Sequence, residues 1–315
     1  MAYSKEPLKM SDSNKNVFYS WIPEGEIKAC VVLSHGMCEH AERYDDFASF
    51  LNKNGFALFA EDHRGHGETA LLAEKEGKGK LGWLSDKNGF MRVAEDIHEE
   101  ILEVKRRIPG KKVFLFGHSF GSFISQAVLE FYGSEIDGCI LCGTAGPRPL
   151  TVAFARIMGS LVSIFTGKKH YSRFINTLAF GSYNARIKNR KTGFDWLSRD
   201  EKSVQKYMED RLCGFICTAG FYSDIFKGLS IIHKGKNIKK IKRDSNVLFI
   251  YGTEDPVGSY SKTVQKLFTL YRKNGMKNVE QKLYEGARHE LLNEINREEV
   301  YADVLEWLEK NTANN

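Results

Sequence analysis

No run in the 315-residue sequence approaches the ~18 apolar residues needed to cross a bilayer. The stretch from Met1 to Lys15 holds no apolar segment of the kind that opens a secretory signal. These two absences lead to the expectation of a soluble, cytoplasmic chain. A third concerns nucleic acid. The net charge is +6, but no basic stretch is interleaved with aromatic residues as single-strand binding requires, so no nucleic-acid partner is expected. The most basic stretch, Lys234 to Arg243, reads as a solvated loop or helix end.

The six cysteines lack what a metal site or disulfide framework needs. Cys139 and Cys142 form C-x-x-C inside an apolar run that reads as a buried strand, and Cys213 and Cys217 have helical spacing among apolar neighbours. Neither pair has a second half of His or Cys at ligand spacing, so free buried thiols are expected and no structural metal. The glycine-bearing stretch at 117–121 lacks the Lys-Ser/Thr of a phosphate loop, and no cofactor is expected.

What is present is the composition of an ordinary globular chain, 42% hydrophobic and 27% charged. The length suits one large core or a core with an inserted unit. The organising stretch runs from Lys112 to Ser122. The apolar run Val113 to Phe116 leads into Gly117-His118-Ser119-Phe120-Gly121, and an amphipathic run from Phe123 to Phe131 follows. This order predicts strand, sharp turn, helix. Ser119 then sits in strained backbone at a helix N-terminus, and the flanking glycines leave room for strand and helix to pack.

Further strands are predicted at Val17 to Ile22, Ile27 to Ser34, Gly55 to Ala60, Ile136 to Cys142, Asn246 to Gly252 and Val279 to Tyr284. Helices are predicted at Tyr44 to Lys53, Phe90 to Arg107, Tyr260 to Lys273 and Glu298 to Lys310. Such alternation calls for an α/β fold, a mostly parallel central sheet with helices on both faces. Residues Ala73 to Lys80 read as an exposed loop. Asp62, His63 and His66 follow a strand, where Gly65 and Gly67 shape a tight loop that the charged groups are expected to hold by hydrogen bonds rather than through a metal.

From Gly146 to about Lys242 the alternation stops. Only helices are predicted there, at Thr151 to Phe165, Ser172 to Phe180, Asp200 to Met208 and Gly214 to Leu229. This reads as a helical cap inserted over the sheet end that carries Ser119. The expected organisation is a core at 1–145, a cap at 146–242 and the rest of the core at 243–315. The most apolar cap segment, Leu150 to Phe165, reads as too short to span a membrane. It is either buried between cap and core or a partly exposed lid helix that lines an acyl tunnel or rests on a lipid surface, with Lys168, Lys169 and Arg173 beside anionic headgroups.

Three candidates stand in loops at the carboxyl ends of successive strands: Ser119, Asp255 and His289. A serine hydroxyl is a poor nucleophile at neutral pH and needs a base within hydrogen-bond reach, which in turn needs an acceptor to fix its tautomer. Ser119 is therefore expected to attack a carbonyl carbon, His289 to carry the proton to the leaving group, and Asp255 to accept the other imidazole N–H. The backbone amides of Met37, after the strand ending Ser34-His35-Gly36, and of Phe120 are expected to receive the oxyanion, at ~3–4 kcal/mol per donor.

With these residues the chain resembles an α/β-hydrolase of the monoglyceride lipase and lysophospholipase family. The resemblance rests on His35-Gly36-Met37-Cys38-Glu39-His40 with Arg43-Tyr44, Asp62-His63-Arg64-Gly65-His66-Gly67, Gly117 to Gly121, Gly252 to Val257, and Tyr284 to His289. It covers nearly all of the chain outside the cap. It implies the same nucleophile, acid and base, the same oxyanion donors, and release of a fatty acid from a single-chain lipid ester, a monoacylglycerol or a lysophospholipid; peripheral membrane contact through the cap is the expectation that the apolar segment Leu150 to Phe165 adds. Serine aminopeptidases resemble this core too, and would need a cap carboxylate, from Asp195, Asp200, Glu201, Glu209, Asp210 or Asp224, to hold the substrate's amine. A non-catalytic ligand sensor on the same fold is the third reading. Two positions depart from the family pattern. Cys38 stands where a second glycine is usual, as a thiol-sensitive neighbour of the oxyanion loop or a packing residue, and Ser122 stands where glycine is common.

Overall fold

The computed structural model describes residues 2–313; Met1, Asn314 and Asn315, at the ends of the two expected core segments, lie outside the described residues. Eight strands form one sheet: β1 (Ala2–Lys9), β2 (Lys15–Ile22), β3 (Ala29–Ser34), β4 (Phe56–Glu61), β5 (Val113–His118), β6 (Gly138–Cys142), β7 (Val247–Gly252) and β8 (Val279–Tyr284). Their order across the sheet is β1-β2-β4-β3-β5-β6-β7-β8. The pairs β1–β2 and β2–β4 are antiparallel and the remaining five are parallel.

The strands from β3 to β7 are buried along their whole length, which is why they read as continuous apolar runs: helices cover both faces. Alternate side chains divide between two cores. Cys30 and Val32 of β3 join Val93, Ile97 and Val104 of helix Gly89–Arg107, Ile124 and Val128 of helix Phe120–Tyr132, and Leu267 of helix Lys262–Lys273. Ala29, Val31 and Leu33 join Phe47 and Leu51 of helix Asp45–Lys53 and Val300, Val304 and Leu308 of helix Arg297–Ala313. Helix Gly89–Arg107 buries Val93, Ile97, Ile101 and Val104 completely at the predicted spacing, each contributing ~1.5–3 kcal/mol of gross burial free energy.

Several elements differ from the sequence reading. β1 was not expected. Its side chains are almost all exposed, and its backbone pairing to β2 leaves no apolar alternation to announce it. The expected loop from Ala73 begins inside helix Gly67–Lys75, whose charged outer face hides the buried Thr69 and Ala70. The predicted helix at 214–229 begins only at Ala219, where Thr218 Oγ1 caps it, so Cys213 and Cys217 lie in a non-helical stretch.

Between β6 and β7 the described chain carries five helices, Pro149–Thr166, Arg173–Phe180, Glu201–Glu209, Ala219–Ile232 and the short Gly235–Ile238. The first corrects an expectation: at 18 residues it is long and apolar enough, by length and composition, to cross a bilayer. It is not buried against the core. Leu150, Phe154, Ile157, Leu161, Ile164 and Phe165 are all exposed, Leu150 and Phe165 by more than 80%. Lys168 and Lys169 turn back toward the core instead of outward. Lys168 Nζ donates to Asp86 O (2.6 Å) and Lys169 Nζ lies 4.1 Å from the Trp83 ring centre.

Candidate active site

Immediately after β5, Ser119 adopts φ 53° and ψ −117°, backbone angles that a non-glycine residue takes only where its surroundings impose them. Close packing imposes them here. A Cβ on Gly121 would stand 1.9 Å from Ser34 O, and one on Gly117 would stand 2.2 Å from Ser125 Oγ. Glycine at both positions lets the helix leave β5 in direct contact with β3. Ser119 N donates to Cys142 O of the neighbouring strand (2.9 Å), which anchors the turn.

The structure brings the three candidates from separate loops into one relay. Ser119 Oγ lies 2.8 Å from His289 Nε2, and His289 Nδ1 lies 3.0 Å from Asp255 Oδ2. A carboxylate only accepts, so Nδ1–H donates to Asp255 and Nε2 is left to accept from the Ser119 hydroxyl. Val257 N donates to the other oxygen, Oδ1, of Asp255 (2.8 Å), fixing the carboxylate. Asp255 and His289 are 1% and 2% exposed, so the acid and base are shielded from bulk water, and Ser119 faces the cavity. Trp196 and His118 flank the imidazole, with ring centres 5.1 and 5.0 Å away.

Met37 and Phe120 both line the cavity above the serine. Among the described residues neither backbone N–H has a protein acceptor. The loop that carries Met37 is held from beneath by a buried network the sequence reading did not find. Glu39 accepts from Gly36 N, from Tyr44 Oη (2.8 Å) and from Arg43, and Arg43 also grips Glu290 with two hydrogen bonds (2.9 and 2.7 Å). Burial disfavours charge on Glu39, but Arg43 and His118 outweigh it and hold its carboxyl well below the usual range. Burial works against His118 in the same way, and the hydrogen bond and charge of Glu39 raise it all the same. Glu39, Arg43, Tyr44 and His118 fall inside the recognised motifs, and Glu290 follows His289. Their adjacency to the candidates was the available signal, whereas the pairing of Arg43 with Glu290 across 247 residues was not legible.

The loop after β4 is held by hydrogen bonds, as expected. Asp62 accepts from Tyr19 Oη (2.8 Å), Ala41 N (2.8 Å) and Glu68 N (2.7 Å), and burial lifts its carboxyl to about 6. His63 Nε2 meets Ser34 Oγ (3.0 Å), and His63 N donates to His35 Nε2 (2.9 Å). Burial lowers His63 and His66 to about 3, so both rings are neutral. Cys38 fills a position with φ 56°, where a glycine would be unstrained; its thiol is buried, donates to Phe215 O (3.0 Å) and lies 3.5 Å from Cys217 Sγ.

A cavity of about 610 Å³ opens from Ser119 and His289 beneath the segment between β6 and β7. Its walls are mainly apolar, with Phe123, Val152, Ile175, Phe180, Ile225, Phe226 and Leu229 among them.

The sequence profile described as "Serine aminopeptidase, S33" matches residues 25–296, most of the chain. The chain belongs to the serine aminopeptidase S33 family. Within and around that family it is similar to a monoglyceride lipase homolog of Monkeypox virus, 28% identical, covering 91% of this chain and 92% of the viral protein. It is also similar to human monoglyceride lipase, 28% identical with 93% and 86% covered. In structure it resembles a thermostable carboxyl esterase of Bacillus coagulans solved with glycerol, with a TM-score of 0.90 at 27% identity over 99% of this chain and 100% of that one. The fold is the α/β-hydrolase fold.

In this S33 chain none of the six carboxylates considered as amine anchors lines the cavity. Asp195 accepts from Lys191 N and Thr192 N, Asp200 caps helix Glu201–Glu209, and Asp210 pairs with His40 (2.8 Å). The carboxylates that do line the cavity, among the described residues, are Glu39 and Glu290, and both are bound to Arg43.

Proposed function

We propose that the protein is a serine carboxylic-ester hydrolase that releases a fatty acid from a single-chain lipid ester, with monoacylglycerol as the favoured class. The observation that carries this reading is the Ser119–His289–Asp255 relay opening into an apolar cavity whose two carboxylates, Glu39 and Glu290, are both engaged by Arg43. An aminopeptidase needs a free carboxylate for the substrate's amine, and the cavity offers none. A sensor has no use for a strained, hydrogen-bonded serine. The names of the viral and human relatives, and of the bacterial esterase, point the same way.

In the proposed mechanism His289 Nε2 takes the Ser119 proton as Oγ attacks the ester carbonyl. The negative oxygen is received by the N–H groups of Met37 and Phe120, each contributing ~3–4 kcal/mol to the transition state. Asp255 stabilises the imidazolium, which returns its proton to the departing alcohol oxygen, leaving the acyl group on Ser119. Water then attacks the acyl carbon while losing a proton to His289, and the bond to Ser119 Oγ breaks as Oγ takes that proton back, which releases the fatty acid and restores the free serine. The exposed apolar face of helix Pro149–Thr166 rests on the lipid surface from which such substrates come.

The test is hydrolysis by purified protein of a long-chain monoacylglycerol, a lysophospholipid, a short aryl ester and an aminoacyl amide, each beside Ser119→Ala. The reading expects cleavage of the esters, fastest for the monoacylglycerol, and none by the variant. Cleavage of the amide alone contradicts it.

A further inference from the structure

The loop after β3 and the segment between β6 and β7 also meet at three side chains that the reaction does not use. His40 belongs to the loop, and Asp210 and Cys213 to the turn after helix Glu201–Glu209. A ring nitrogen of His40, a carboxylate oxygen of Asp210 and Cys213 Sγ all lie within 4.8 Å of one another. We propose that these side chains form a binding site for a divalent ion of the zinc class, which clips the two segments together beside the substrate cavity.

The geometry comes close to what such an ion asks. His40 Nε2 and Asp210 Oδ2 are 2.8 Å apart. Two ligands each ~2.0 Å from a tetrahedral ion stand ~3 Å apart, so the ion takes the place of the shared proton with little movement. The turn presets the carboxylate, because Leu212 N donates to Asp210 Oδ1 (2.8 Å) and leaves Oδ2 for His40. Cys213 N donates to Asp210 O (3.0 Å), which ties the thiol's backbone to the same residue. His40 and Cys213 are 7% and 8% exposed, so the nitrogen and sulfur donors are largely out of water, while the Asp210 side chain, 32% exposed, opens the site to solvent on one side.

Charge and chemistry agree with that geometry. Arg43 is the neighbouring cation, but Glu39, Glu290 and Asp210 outnumber it, so the locality favours added positive charge even with His118 beside Glu39. Nitrogen, oxygen and sulfur donors together suit zinc rather than magnesium or calcium, and three protein ligands leave a fourth position for water. On binding, the Cys213 S–H bond gives way to a sulfur–metal bond and the proton leaves to solvent. The clip reinforces contacts already there: Cys38 O accepts from Gly214 N (3.0 Å) and from Tyr207 Oη (3.0 Å), holding the loop that carries Met37. Spacing could not reveal the site, since Cys213 joins His40 from far along the chain.

The probe is cobalt(II) added to the metal-free full-length protein, read by thiolate-to-cobalt charge-transfer absorption, with thermal unfolding in zinc as a second readout. Wild type is expected to show the band at one ion per chain and a higher Tm with zinc. Cys213→Ser should abolish the band. His40→Gln should weaken cobalt binding by about 10–100-fold, and Cys217→Ser should change neither. No band in wild type, a band that survives Cys213→Ser, or one lost only in Cys217→Ser overturns the proposal; the last assigns the metal to the Cys38–Cys217 pair. Circular dichroism of each variant shows that it folds. None of these readouts depends on ester turnover.

Discussion

Helices Phe120–Tyr132 and Pro149–Thr166 are both rich in Phe, Ile, Val and Leu, and they stand in opposite surroundings. The first is buried without a break from Phe120 to Glu130, wedged between β3 and the neighbouring helices. The second buries only Gly159 and Ser163 and shows its large side chains to the outside. Apolar composition alone does not say which role a helix plays. The buried helix holds Ser119 in a strained turn that only tight packing can maintain, whereas the exposed one packs Gly159 on Ser223 and Phe226, lends Val152 to the cavity wall and leaves its outer apolar side chains for the proposed lipid contact.

The largest expected contrast is chemical. Ser119→Ala should lower kcat/KM for ester hydrolysis by at least ~1,000-fold while leaving the Tm nearly unchanged, as measured by fatty-acid release and calorimetry. A residual rate within tenfold of wild type would break the assignment of the buried turn as the reacting centre.

The next contrast applies one substitution to both helices. Gly121→Ala places a Cβ 1.9 Å from Ser34 O, backbone that cannot give way, and should cost ~3 kcal/mol or more in denaturant unfolding. Gly159→Ala meets the Phe226 ring edge at 3.2 Å, which can shift, and gains helix propensity of ~1 kcal/mol, so it should fall within about 1 kcal/mol of wild type. Equal losses at both sites would erase the distinction.

Glu130, on the buried helix, sharpens the comparison through pH. Neither carboxyl oxygen has a partner among the described residues, and burial lifts the group to about 9. Between about 4.5 and 9 the folded state keeps a proton that the unfolded chain has lost, so stability falls as pH rises through that window. Glu130→Gln should remove the slope and add about 2–3 kcal/mol at pH 7, with no gain below about pH 4.5. Denaturant titrations of both proteins at pH 5 and pH 8 measure it.

The smallest effect on stability belongs to the exposed face. Leu150→Ser with Ile164→Ser should change unfolding by no more than ~0.5 kcal/mol each, yet reduce co-sedimentation with lipid vesicles. Unchanged vesicle binding would remove the lipid-surface role.

Much of this was legible because buried parallel strands are continuous apolar runs, and the residue types that follow each one are few. Ser119, Asp255 and His289 could be found by asking what stands just after a strand. The same logic failed for β1, whose pairing rests on backbone groups and leaves no side-chain pattern. It also failed for Leu150 to Phe165, where one apolar run fits burial and exposure equally well. Contacts that join distant parts of the chain, Arg43 with Glu290 and His40 with Asp210, have no local signature at all.

The most direct test is to quench the enzyme with acid during turnover of an aryl ester of a fatty acid and locate any acyl group by peptide mass. The account predicts a single acyl adduct on Ser119, absent from Ser119→Ala. Fatty-acid release with no adduct, or an adduct on another residue, would contradict it.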